Sequence, residues 1–192
     1  GYYNALNSYP AVANGASLYL VHNIHMQATC ANMDGNYAQS VKISNDCRAS
    51  FDSSFMQAPG YLGVYVQYIY MTPLFTDIRF GKWNNILNAP AVPEAYVYAN
   101  MLWHYGRGLS YARQHDFDKA NYELNMLRAQ MNNPQLQDHP GAFSPGIDGA
   151  GVAEKLLQGV IAEEMNDLPG AIDILQDARD KEDEMIYNEP KD

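Results

Sequence analysis

PEAYVYANMLWHYGRGLSYARQHDFDKANYELNMLRAQM, residues 93 to 131, holds two apolar-periodic segments on either side of a polar break at Gln114-His115-Asp116. In the second segment Phe117, Ala120, Leu124, Leu127 and Met131 follow at steps of three and four, which makes one stripe of an amphipathic helix. The first segment opens on Pro93 and Glu94, residue types suited to a first helical turn. It also carries Gly106 and Gly108, where a neighbouring helix can approach closely. The stretch reads as a helical hairpin. One hairpin cannot bury its own stripe, so the rest of the chain must supply more of them.

It does. From Ser17 the pattern is helical, breaks at Met33-Asp34-Gly35-Asn36-Tyr37 and resumes to about Ser50, a first hairpin over residues 17 to 50. Residues 1 to 16 read as the tail of a preceding element and a Pro- and Gly-punctuated link. Tyr61 to Phe80 is apolar and aromatic with Pro73 inside it, so the helix should kink or break there. Gly81-Lys82-Trp83 then turns the chain, and a short helix ends hairpin two (61 to 88) before Ala89-Pro90-Ala91-Val92-Pro93. Gly63 to Tyr70 has strand-like composition, but no partner strand is in sight, so it is read as helix. After hairpin three (93 to 131) comes a Pro- and Gly-rich insertion, residues 132 to 151, either an ordered loop laid over a face or a mobile one. Hairpin four, 152 to 186, turns at Asn166-Asp167-Leu168-Pro169-Gly170.

Composition narrows the function classes. The 192 residues are 47% hydrophobic and 18% charged, ordinary for a folded domain, and no apolar run approaches the roughly 18 residues of a membrane span. From Ala150 onward twelve acidic residues face four basic ones, a balance of −8 within a net charge of −10. That flank argues against nucleic acid, whose phosphates need clustered Lys and Arg. Gly1 in place of Met and the abrupt stop at Asp192 predict a piece of a longer chain, so a missing targeting segment says nothing of compartment. Cys30 and Cys47 fall on the two helices of hairpin one, roughly 10 Å apart along their axes at ~1.5 Å per residue. A disulfide needs Cα atoms within about 7 Å, so two free, buried thiols are expected, which leans towards a reducing compartment.

Hairpins three and four align Gly108 with Gly159 and Ala120 with Ala171, twelve residues from glycine to alanine in each. A small residue in the first helix and an alanine in the second, set across a short turn, resemble the tetratricopeptide repeat. In hairpin three Tyr111 supplies the aromatic three residues after the first of them; hairpin four has Ala162. Gly35-Asn36-Tyr37, Gly81-Lys82-Trp83 and His115-Asp116-Phe117 resemble that family's Gly-Asp/Arg-Tyr corner. Ser40, Ile86, Ala120 and Ala171 take the equivalent position, at steps of 46, 34 and 51 residues. Only the middle step equals the period of about 34. Thr72-Pro73-Leu74 departs from the pattern, standing where repeat two should have its small residue. More narrowly, His22-Asn23-Ile24-His25, Arg79-Phe80-Gly81-Lys82-Trp83, and Glu182-Asp183-Glu184 leading into Tyr187-Asn188-Glu189-Pro190 are similar to phrases in a group of bacterial proteins built from divergent repeats of this kind. The resemblance implies an all-α superhelix, or α-solenoid, of about four hairpins.

It also implies a site. In the family the first helix of each hairpin lines a concave groove, with ligand contacts at set positions. Carried over, these are His22, His25, Thr29, Asn32 and Met33 in repeat one, Tyr68, Met71, Phe75, Ile78 and Arg79 in repeat two, and Leu102, Tyr105, Leu109, Ala112 and Arg113 in repeat three. Such a surface suits a peptide or a partner protein's helix, where aromatics and Arg anchor. Two alternatives stand beside this. Neither end looks like a polar cap, so copies stack end to end, or side by side through the Tyr-rich segment 61 to 70, as a homo-oligomer. Or His22 and His25, three apart on one helical face, hold a metal ion or small ligand, given a third ligand from His104, His115, His139 or a carboxylate. No cofactor is implied, and no catalytic pattern is present: no nucleophile elbow, phosphate loop or His-Glu-x-x-His. The glycine-rich run Gly146 to Gly151 has no strand before it and reads as a loop and helix start.

Overall fold

The computed structural model describes residues 10–50, 53–138 and 144–186, with side chains from Val21 onward. Among these residues there is no strand and there are nine α-helices: α1 (Pro10–Met33), α2 (Tyr37–Arg48), α3 (Gly60–Tyr70), α4 (Thr72–Arg79), α5 (Trp83–Asn88), α6 (Val97–Arg113), α7 (Phe117–Gln130), α8 (Gly146–Glu164) and α9 (Leu168–Asp183). They pair as α1/α2, α4/α5, α6/α7 and α8/α9, and each pair packs on the next. The chain is all-α, with hairpins in the expected order.

The corners explain the regularity. Each first helix ends on a residue in the left-handed region: Gly35 (φ 73°), Gly81 (62°), His115 (58°) and Asn166 (65°). The next residue donates its N–H to the carbonyl five residues back, Asn36 to Ala31, Lys82 to Asp77, Asp116 to Tyr111 and Asp167 to Ala162. This is the Schellman ending, which satisfies carbonyls that the helix terminus would leave open. The same residue then caps the following helix. Asn36, Asp116 and Asp167 accept the N–H of Gln39, Lys119 and Gly170 on their side chains, and Lys82 alone makes no such bond. Four residues after each capping position, Ser40, Ile86, Ala120 and Ala171 are all buried.

Close approach falls where the glycines are. A Cβ on Gly108 would lie 2.5 Å from Leu157 of α8, and one on Gly106 would lie 2.5 Å from Leu74 of α4. Leu74, the departure from the small-residue pattern, is thus received by a glycine on the neighbouring helix. The main core runs through hairpins two to four, around Met101, Leu127, Leu136 and Leu157; a second cluster of Val21, Cys47 and Ile69 joins hairpin one to hairpin two.

Four details differ from the sequence reading. Helix α1 reaches back to Pro10, taking in residues read as a link. Helix α6 begins at Val97, with Pro93 in a turn that accepts the Tyr96 N–H. The cause is Gln67 of α3, whose Oε1 accepts the N–H of Tyr98 (2.7 Å) and Ala99 (3.1 Å) and so caps α6 from another helix. Helix α8 starts at Gly146, so the glycine-rich run is helical, and the described start of the insertion is ordered, with Leu136 of the 3-10 turn Pro134–Gln137 wholly buried. Both cysteines are free, but Cys30 is exposed and only Cys47 is buried. On α1 the buried positions are Val21, Ala28 and Ala31, and Cys30, two residues after Ala28, turns to the opposite side. Tyr187 to Pro190, His139 and the link residues before Pro10 lie outside the described residues.

Candidate functional site

The residues expected along the first-helix face divide into two groups. Leu102, Leu109, Ala112 and Met71 are buried in the core and present no surface. The others keep some. His22 and His25 sit one turn apart on α1, both partly buried. The His25 ring meets Tyr68 of α3 edge-on at 5.4 Å between centroids, and Tyr68 tilts onto Phe75 of α4 at 5.4 Å. Burial, with His22 adding like charge, pushes the His25 imidazole below its ordinary value. Thr29 donates to the His25 carbonyl, and Asn32 accepts from Thr76 of α4 at 3.4 Å. Met33 is 76% exposed.

At the other end Tyr105 is mostly covered, and burial pushes its phenol up to about 12. Arg113 is not an open cation. Its guanidinium bridges Glu163 (3.1 Å) and Glu164 (2.5 Å) of α8, and His115 lies 3.4 Å from the same Glu164. Two contacts join successive first helices: His25 with Tyr68, and Arg113 with two α8 glutamates that lie outside the expected set. Among the described residues no group of three His, Cys, Asp or Glu side chains is placed to hold a metal ion.

Two further constellations were not anticipated. Glu123 of α7 is 3% exposed and is gripped from α6 by His104 Nδ1 (2.5 Å) and Arg107 Nε (2.7 Å). Arg107 in turn lies over Trp103 at 4.6 Å and donates to the Tyr111 hydroxyl at 3.0 Å. A buried carboxylate with two cationic or donor partners can stand in a core, because removing any one strands the others. The signal was in the sequence: Glu123 interrupts an apolar stripe between Ala120 and Leu127.

The second constellation surrounds a cavity of about 300 Å³ between α2, α4, α5, the Ala89–Val92 link and α6. Arg48 reaches it from α2, its Nε donating to the Tyr70 carbonyl (2.9 Å) and its guanidinium 4.5 Å from the Tyr70 ring centroid. Burial lowers the Arg48 value, partly offset by Tyr70 and Asp77. Tyr37 donates to Asp77 at 2.9 Å and Asn85 to the same oxygen at 3.4 Å. Trp103 stands on the wall, and its indole N–H is buried with no acceptor among the described residues.

Comparison with protein-family models, with curated proteins and with solved structures finds no match to this chain.

Proposed function

We propose that this chain is a divergent tetratricopeptide-like repeat protein whose hairpins stack as a superhelix, and that the face of the first helices binds a peptide or a helical segment of a partner protein without catalysing a reaction. The observation that carries the reading is that side chains of successive first helices adjoin across hairpin boundaries: His25 on Tyr68, which tilts onto Phe75, at one end, and Arg113 on Glu163 and Glu164 at the other. Aromatic anchors beside charged groups suit a segment with an apolar stripe and a basic flank, since Glu163 is itself half exposed. No described helix is long and apolar enough to cross a membrane, so binding is not assigned to a bilayer.

The test is selection of peptides from a displayed random library, followed by binding to variants. Selected peptides should lose at least tenfold in affinity, about 1.4 kcal/mol, on His25→Ala with Tyr68→Ala. They should keep it on Tyr122→Ala, which alters an exposed tyrosine of the second helix α7. The reverse pattern would remove the first-helix face from consideration.

A second reading, end-to-end self-association, has its own support. Met165, Leu168 and Ile172, at the last corner and along α9, are each more than half exposed. Among the described residues α9 packs on α8. Light scattering over a concentration series decides it: a monomer throughout would dismiss this reading.

A further inference from the structure

The four corners put the hairpins in one register, and the first and last hairpins depart from it in complementary ways. Counted from the left-handed residue of each corner, Met26 and Cys30 of α1 correspond to Thr72 and Thr76 of α4, to Gly106 and Ser110 of α6, and to Leu157 and Ile161 of α8. Those six later residues are all buried, and the preceding hairpin helps to cover them. Thr72 donates to the Cys47 sulfur and Thr76 to Asn32, a Cβ on Gly106 would meet Leu74, and Leu157 packs on Gly108. Met26, by contrast, is 46% exposed, and Cys30 is exposed beside it. On the second helices, Leu168 of α9 corresponds to Tyr37, Trp83 and Phe117, each partly buried, yet Leu168 is 58% exposed. Ile172, in the register of Val41, is open as well.

Hairpin two shows how such a face is seated. The Tyr37 hydroxyl donates to Asp77 at 2.9 Å and its ring meets Phe80 at 5.1 Å, with Val41 beside it against Pro73, Asp77, Asn85 and Ala89. The residues 46 positions earlier than those four, Gln27, Ala31, Gln39 and Ile43, line an open hollow between α1 and α2 together with Met26 and Cys30. We infer that this hollow seats the α9 face of a second copy, Leu168 and Ile172 entering as Tyr37 and Val41 enter hairpin two, so that copies add head to tail. The inference rests on the self-association reading above and supplies its contact. Charge favours this pairing over one between two α9 faces, which would bring together two flanks of −8 each. Hairpin one, with Lys42 and Arg48 against Asp34 and Asp46, is neutral and admits the acidic end. Asp34, at the rim in the register of Phe80, would stand beside the N-terminus of α9, where a carboxylate is favourable. The contact is heterologous, so each added copy leaves one end open and growth does not stop at a dimer.

Sedimentation equilibrium of the purified chain over a concentration series, with two end-blocked variants, tests this. The wild-type mass should rise with concentration past that of a dimer. Ile172→Asp and Met26→Asp, both at exposed positions, should each remain monomeric at the concentration where half the wild type is assembled. Their equimolar mixture should form a dimer that grows no further, because one variant keeps an intact hollow and the other an intact α9 face. A monomeric mixture, or a single variant that assembles as the wild type does, overturns this seat while the self-association reading stands. A wild-type monomer throughout overturns both. Should Met26→Asp fail to fold, a bulky maleimide on exposed Cys30 of the folded chain blocks the hollow instead, Cys47 being buried, and Leu168→Asp replaces Ile172→Asp in the same way; the same outcomes then decide.

Discussion

Replacing Gln67 with Met should destabilise the protein far more than its place in the apolar run Gly63 to Tyr70 would imply. Gln67 is fully buried and makes three hydrogen bonds: it accepts from Tyr98 and Ala99 at the start of α6 and donates to the Met56 carbonyl at 2.7 Å. Helix α6 has no side-chain cap of its own, since Tyr96 makes none. Methionine fits the volume but leaves two buried donors and one acceptor without partners. At about 1–3 kcal/mol for each of the three stranded groups, and with roughly 1 kcal/mol returned by the more apolar side chain, the net loss is about 2–8 kcal/mol. For a chain of this size that lowers the melting temperature by roughly 4–32 °C, at about 2–4 °C per kcal/mol. Urea unfolding followed by circular dichroism measures it, with Gln130→Met as the control. Gln130 makes a single, half-buried bond to Asn100 at 3.0 Å and should cost under about 1 kcal/mol. Equal midpoints for Gln67→Met and wild type, or for the two variants, would refute the idea that α3 caps α6.

Glu123→Met should cost about 3 kcal/mol because it leaves His104 and Arg107 facing a core without their carboxylate. In an Arg107→Met background the same change should cost less, and a double-mutant cycle by urea unfolding reads the coupling directly. His115→Gly should stabilise by up to ~1 kcal/mol, since His115 occupies a left-handed corner that glycine adopts freely and its contact with Glu164 is largely exposed; thermal melts check this. Stability should fall as pH drops from about 7.5 through 6.5. His25 is held below its ordinary 6.5 in the folded state, so the unfolded chain binds the extra proton first and the folded state loses ground until its own lower value is reached. His25→Gln should flatten that part of the melting-temperature profile.

The corners were legible because each is a local event. Gly35-Asn36 and Asp116 announce a left-handed residue followed by a capping side chain, and short-range hydrogen bonding completes the turn without help from distant residues. His115 and Asn166 do the same work with residues that tolerate positive φ less well than glycine, and the amphipathic stripe of α7 located the corner despite that. What sequence reasoning missed is tertiary. Gln67 looked like one polar residue in an apolar helix until α6 was set 30 residues away in sequence but against it in space. Arg113 looked available for a partner, whereas α8 supplies two glutamates to it across the insertion. Cys30 was assigned to the interior from the general habit of cysteines, although one residue of helical register separates it from buried Ala31. The cavity beside Arg48 arises from an early helix stop, legible as Ala89-Pro90, but the surroundings that make it polar come from four different elements.

If the first helices carry the peptide-binding face, amide hydrogen exchange with and without a library-selected peptide will map it there. Bound peptide should slow exchange in α1, α3, α4 and α6 around His25, Tyr68 and Tyr105, leaving α2 and α7 unchanged. Protection confined to α2, α7 and α9 would contradict it.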